Sequence, residues 1–157
     1  MDGFINVDLA GNWSNRMPDV VADVTTTLPF DDSYADEVHS YHVIEHIYRW
    51  MVPDVLKEWT RVLKPGGLLV LEMPCMDKIL TYAFECHKAG QPLHPQMFYH
   101  ALYGDPGYRC EAMCHRWCYS SFEATELLQD SGLVDVKLKP PQTHIKHRDM
   151  RIESSKP

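Results

Sequence analysis

The stretch His42-Val43-Ile44-Glu45-His46 places two imidazoles and a carboxylate within five residues. An imidazole titrates near neutrality, so His42 is suited to act as a general base. The bland alternative is that it caps the helix that follows. On a helix, His42 and His46 would share one face. The glutamate precedes the second histidine, so the order is not the H-E-x-x-H of a zinc protease. Asp8 and Asp23 each follow a short apolar run. Each can be a plain turn carboxylate, and for Asp23 the turn partner would be Thr25. Cys110, Cys114 and Cys118 recur every four residues around His115. Thiolates and imidazoles are good zinc ligands, but the spacing is not C-x2-C. As a helix, these cysteines would form one apolar stripe of buried thiols. No metal is expected.

These residues need elements to hold them. "FINVDLA" (Phe4–Ala10) reads as a strand ending near Asp8, and "DVVADV" (Asp19–Val24) as a second. A loop with Pro29 and Asp31-Asp32-Ser33 follows. A third strand, Glu37–Ser40, leads to Ser40, Tyr41 and His42. Pro53 suits a first helical turn. Val55, Leu56, Trp59, Val62 and Leu63 then keep helical spacing, with Lys64 in the last turn. Pro65 stops that helix, and Gly66-Gly67 reverse the chain into "LLVLEM", apolar enough for a strand covered on both faces. Asp77–His87 reads as a helix, and about 88–118 as an irregular excursion. Ser120 or Ser121 caps a further helix that Gly132 stops. "VDVKLK" alternates as a strand, and "HIKHRDMRIESS" returns as an antiparallel edge strand. A helix feeding a buried strand is half of a βαβ unit, so the class is α/β.

The chain has 157 residues, of which 45% are hydrophobic, enough for one domain with a real core. The formal net charge of -7 disfavours nucleic-acid partners. No apolar run approaches the roughly 18 residues of a membrane span. "MDGFINVDLAGNW" lacks a signal-peptide pattern, so a cytoplasmic location is expected. The five cysteines are expected to be reduced thiols.

In their order, "FINVDLA", "DVVADVTTTLPFDDSYADEVHSYHVIEHI", "VLKEWTRVLKPGGLLVLEMP" and "HRWCYSSFEATELLQDSGLVDVKL" resemble the class I S-adenosylmethionine-dependent methyltransferases, closest to the small-molecule group called type 11. The resemblance implies a Rossmann-like sheet with helices on both faces and an antiparallel C-terminal hairpin, as a single domain over 1–157. It also implies a truncated N-terminus. The family opens with a strand and a glycine-rich loop before its "INVD"-like strand, and no Gly-x-Gly occurs in this chain.

By resemblance, Asp8 holds the ribose hydroxyls of S-adenosylmethionine, Asp23 and the Val24 amide meet the adenine, and Ser40, Tyr41 and His42 line the methyl end. Without the loop's backbone donors, the cofactor is expected to bind weakly. His42 and His115 are the candidate catalytic residues, with Tyr119 a further substrate contact. The acceptor would be a small molecule, a sugar or lipid-linked intermediate. "MPC" (Met73–Cys75) resembles the Pro-Cys of cytosine methyltransferases but follows the wrong strand, so nucleobase methylation is rejected. The alternative is an inactive methyltransferase-like binding or regulatory protein. Self-association into a homo-oligomer is expected, to cover what the absent strand leaves open.

Overall fold

The structure, a computed structural model, describes residues 3–9 and 17–157. The first expected strand shortens to β1 (Val7–Asp8), and its expected end at Ala10 lies outside the described residues. β1 pairs in parallel with β2 (Val20–Val21), forming a two-stranded sheet of its own. The main sheet contains β3 (Ala35–Tyr41), β4 (Leu63–Pro74), β5 (Val134–Lys139) and β6 (Asp149–Ser155), in the spatial order β3-β4-β6-β5. β3 and β4 are parallel, and β6 runs antiparallel to both β4 and β5. The expected C-terminal hairpin is therefore present. β6 is not the edge strand that the sequence reading made it. It lies inside the sheet, and β5 takes the edge. Its inner place follows from its own composition, since Met150, Arg151, Ile152 and Ser154 are all buried.

Helix α1 (Val52–Val62) forms where the periodicity put it, and Val55, Leu56, Trp59 and Val62 are buried. It stops before Lys64, so Arg61 is the cation of its last turn. Lys64 belongs to β4 and pairs with Asp36 at 2.8 Å. Pro65-Gly66-Gly67 does not reverse the chain. Leu63 already pairs with Ala35, and Leu68 pairs with Glu37, so residues 64–67 bulge out of a strand that has already begun. Gly66 takes a φ of 76°, the left-handed region glycine enters freely. The C-terminal end of the chain pins the bulge. The Gly66 N–H donates to the Lys156 carbonyl at 2.9 Å, and the Lys156 N–H to the Gly67 carbonyl at 3.0 Å.

Alternation along β4 sorts the two faces of the sheet. Leu69, Leu71 and Met73 join Met150 and Ile152 of β6 in one core with α1 and α4 (Ser121–Asp130), which supplies Ala124, Leu127 and Leu128. Each such large side chain contributes about 1.5–3 kcal/mol on burial. On the opposite face the Glu72 carboxylate is fully buried. It accepts from the N–H groups of Gln142 and Thr143, both at 2.9 Å, from the Thr143 hydroxyl, and from Arg151 at 3.0 Å.

Helix α2 (Met76–Lys88) matches its expectation, and Ser120 is the α4 cap, accepting from the Glu123 N–H at 3.1 Å. The excursion holds α3 (Tyr99–Tyr103) and short 3-10 turns at Pro106–Tyr108 and Glu111–Met113. Gly104, at φ 87°, and Pro106 break any continuous helix here, so the cysteine stripe does not form. β5 also departs from clean alternation, because Asp135 sits at φ 54° where the register with β6 shifts.

A Cβ on Gly67 would lie 2.8 Å from the Lys64 carbonyl oxygen and 3.0 Å from that of Asp36. Both obstacles are backbone. Gly67→Ala should therefore lower unfolding free energy by about 1–3 kcal/mol, and the denaturant midpoint measures it. An unchanged midpoint would refute this packing of the bulge.

Candidate functional site

β3 delivers Ser40, Tyr41 and His42 to its carboxyl end, beside the end of β4. The His42 N–H donates to the Glu72 carbonyl at 2.8 Å, extending the ladder by one residue. His42 then turns the chain, at φ 54°. That conformation costs a non-glycine residue about 1–2 kcal/mol. It ends the strand abruptly, and the next residues, Ile44–His46, form a 3-10 turn.

The His42 ring sits between two buried carboxylates. Nδ1 is 2.9 Å from Glu45 and Nε2 is 3.3 Å from Asp149. The contacts are close but poorly angled for hydrogen bonds, so the attraction is mainly charge on charge. Burial opposes charging of the ring, but Asp149 and Glu45 outweigh it and raise the His42 pKa to about 9. At neutral pH the ring is an imidazolium with no lone pair to take a proton.

Asp149 receives the Arg148 guanidinium at 2.6 and 3.1 Å, and the Ile145 N–H at 3.0 Å. Burial would raise its pKa, but His42 and Arg148 hold it below the ordinary carboxylate range. The His144 ring lies 4.0 Å from that of His42, centroid to centroid. Burial and the His42 charge both push its pKa down.

Two other residues singled out by the sequence, Val24 and Ser40, line a groove of about 550 Å³ between β1 and the outer edge of β3. Val7, Val24, Leu28, Ser40 and Trp59 are among its walls. Ser40 is buried, and its Oγ has no partner among the described residues. Asp8 adjoins Val7, and its Oδ1 accepts the Leu9 N–H at 2.7 Å. Asp23 closes a turn, its Oδ1 accepting from the N–H and hydroxyl of Thr25 at 2.9 and 2.7 Å. The Val24 carbonyl accepts from the Trp59 indole at 3.3 Å. Tyr41 does not line the groove. Its hydroxyl meets His39 Nδ1 at 2.8 Å. Two neighbourhoods thus emerge, with Val24 and Ser40 lining the groove, Asp8 next in sequence to its wall residue Val7, and His42 among charges at the strand end.

His115 joins the second neighbourhood from the excursion. The Glu45 carbonyl accepts the N–H groups of Arg116 at 2.6 Å and Trp117 at 3.2 Å, which docks that segment on the turn. The His115 ring then stands edge-on to His46 at 4.7 Å. Burial pushes its pKa down, which keeps it neutral. Tyr119 is fully buried. Burial raises the thiols of Cys75 and Cys118, the latter to about 12, so neither is a ready nucleophile. Among the described residues, the group with ligand atoms close enough for one metal ion is Glu45, His46 and His115, not the cysteines. Sequence reasoning missed Asp149 and Arg148. The available signal was adjacent opposite charges at the start of an apolar alternation, Arg148-Asp149-Met150-Arg151-Ile152.

Asp149→Ala would leave Arg148 and His42 without their shared carboxylate in a buried setting. A loss of roughly 3–5 kcal/mol is expected from denaturant unfolding. A near-wild-type midpoint would show that water, not Asp149, compensates these cations.

Residues 5–71 match the family profile described as a methyltransferase domain. The fold is similar to that of a S-adenosylmethionine-dependent methyltransferase from Thermotoga maritima, described as a possible histamine N-methyltransferase. The identity is 15%, over 88% of this chain and 63% of that one, with a TM-score of 0.56. It is also similar to a S-adenosylmethionine-dependent methyltransferase from Archaeoglobus fulgidus, at 15% identity over 87% and 66%, TM-score 0.57. A third, from Methanosarcina mazei, gives 20% identity over 87% and 65%, TM-score 0.55. The chain spans less than two thirds of the length of each. No curated relative matches the sequence. By sequence over residues 5–71 and by fold over most of its length, the family this chain resembles is that of the class I S-adenosylmethionine-dependent methyltransferases.

Proposed function

We propose that the protein takes part in methyl transfer from S-adenosylmethionine to an oxygen or nitrogen of a small molecule, such as a sugar or lipid-linked intermediate. The observation that carries this reading is the orphaned, buried Ser40 Oγ in the wall of the groove. A buried hydroxyl without a partner is costly unless a ligand or water completes it. The groove follows the outer edge of β3 and reaches that strand's carboxyl end only at Ser40, the end at which ligands of open α/β sheets collect.

S-adenosylmethionine supplies an electrophilic methyl group on a sulfonium centre. In this reading the residues around it bind and orient. The Asp8 carboxylate accepts from the ribose hydroxyls. Val24, Leu28 and Trp59 give the adenine an apolar wall, with the Val24 amide and the second oxygen of Asp23 at its edge. Ser40 marks the methyl end. His42, being charged, serves as a donor and an anchor, while His115 offers its Nε2 lone pair on the acceptor side. Methyl transfer depends mostly on alignment and desolvation, so no strong base is required.

Calorimetry with S-adenosylmethionine, its demethylated product and adenosine tests this. Binding should be weak, with Kd on the order of 0.1–1 mM, near -5 kcal/mol. Adenosine alone should bind almost as well, because the chain has no Gly-x-Gly loop for the methionine half. Asp8→Ala should abolish the signal. Absence of binding at millimolar concentration would overturn the reading, and micromolar binding that needs the methionine half would overturn this account of the contacts.

A second reading, a non-catalytic protein that self-associates, is favoured by one feature. Among the described residues β3 pairs with a strand on one side only, and beside its open edge Phe4, Ile5 and Tyr34 are each more than two-fifths exposed. Open edges of this kind invite pairing. In this reading, light scattering should give a mass that rises with concentration toward a dimer. A monomer throughout would count against it.

A further inference from the structure

We infer that Glu45, His46 and His115 form a binding site for one divalent transition-metal ion of the zinc or iron type. Their ligand atoms all lie within 4.8 Å of one another. Three further observations favour a site over chance proximity. The first is the tautomer of each ring. His46 Nδ1 lies 3.2 Å from the Cys114 carbonyl, and His115 Nδ1 lies 2.8 Å from the Ala101 carbonyl. A carbonyl oxygen only accepts, so each Nδ1 must carry the proton. In this tautomer of the neutral ring, Nε2 is the nitrogen that carries the lone pair. Backbone carbonyls on the far nitrogen are the usual way proteins fix a metal-binding histidine.

The second observation is Glu45. Its side chain is about 1% exposed, yet neither carboxylate oxygen accepts a hydrogen bond among the described residues. A buried carboxylate is rarely left so, because desolvating it without partners is costly. The His42 Nδ1 lies 2.9 Å from its Oε1. That contact orients the carboxylate and leaves its other oxygen free for a cation.

The third is rigidity. The Glu45 carbonyl receives both the Arg116 and Trp117 N–H groups, so the turn carrying Glu45 and His46 is tied to the segment carrying His115. The three donors come from two distant stretches of chain but share one rigid junction.

Two imidazoles and one carboxylate are borderline nitrogen and oxygen donors. They suit zinc or ferrous iron, not magnesium or calcium, which prefer all-oxygen shells. Three protein ligands also leave positions open for water or for a donor atom of a small molecule. An ion held here replaces the direct His115 contact with an acceptor, but its binding does not require that methyl transfer take place.

Titration of the metal-stripped full chain with cobalt(II) alone tests the site. Visible d–d bands should saturate at one equivalent, and zinc should displace them while magnesium and calcium do not. His46→Gln and His115→Gln should each weaken cobalt binding at least about tenfold. Both side chains are only half-buried, so circular dichroism and melting should stay near wild type and exclude misfolding as the cause. Glu45→Gln is a third arm, read only if it folds. No saturable bands would overturn the inference. So would bands that survive both histidine changes, or an intense near-ultraviolet sulfur-to-cobalt band, which would place the metal on the cysteines.

Discussion

A single buried carboxylate, that of Glu72, organises the sheet end on which everything else rests. Its side chain gathers the Gln142 and Thr143 amides, the Thr143 hydroxyl and the Arg151 guanidinium. Its own carbonyl receives the His42 N–H. One residue of β4 therefore fixes β6, the crossing segment before β6, and the exit from β3. Burial opposes ionisation of Glu72, and the donors around it more than offset that, so it stays charged well into acid. An unpaired charge at this depth would cost several kcal/mol, so these partners are bound to each other by mutual need.

That constraint explains the shape of the site. Because His42 must still complete the ladder to Glu72, the turn out of β3 begins at His42 itself, in the left-handed region. The turn then throws Glu45 and His46 toward the excursion and leaves the His42 ring facing Asp149. The charges alternate along this line, Glu45, His42, Asp149, Arg148. Lys78 closes it by donating to the Asp149 carbonyl. The groove beside β3 is by contrast walled mainly by apolar side chains. A polar strand end next to an apolar slot suits a ligand with one charged end and one flat aromatic end.

Local signals carried most of what was legible in the sequence. α1 and α4 could be read because their apolar spacing and caps lie within a dozen residues. The Pro65-Gly66-Gly67 signal was real but ambiguous, since the same residues make a reversal or a bulge. Only the pairing of Leu63 with Ala35 decides between them. The place of β6 inside the sheet depends on partners some eighty residues away, such as Leu71 opposite Ile152, which no local pattern encodes. The same holds for the site. His42 and His46 were read as sharing a helical face, yet a 3-10 turn separates them. Each meets a partner from a remote segment, His42 with Asp149 and His46 with His115. The resemblance located the strand ends. The charges that surround them came only from the fold.

The interior place of β6 has a consequence for synthesis on the ribosome. Chains fold as they emerge, with early segments first. β4 can pair with β3 as soon as Pro74 is clear, but its other edge stays open until residues 149–155 have been translated. Throughout that interval Glu72 lacks Arg151, and the apolar row of Leu69, Leu71 and Met73 lacks Met150 and Ile152. The nascent chain therefore carries a half-built sheet for nearly half its length. A chaperone that shields apolar strands would meet this protein before any bound ligand does.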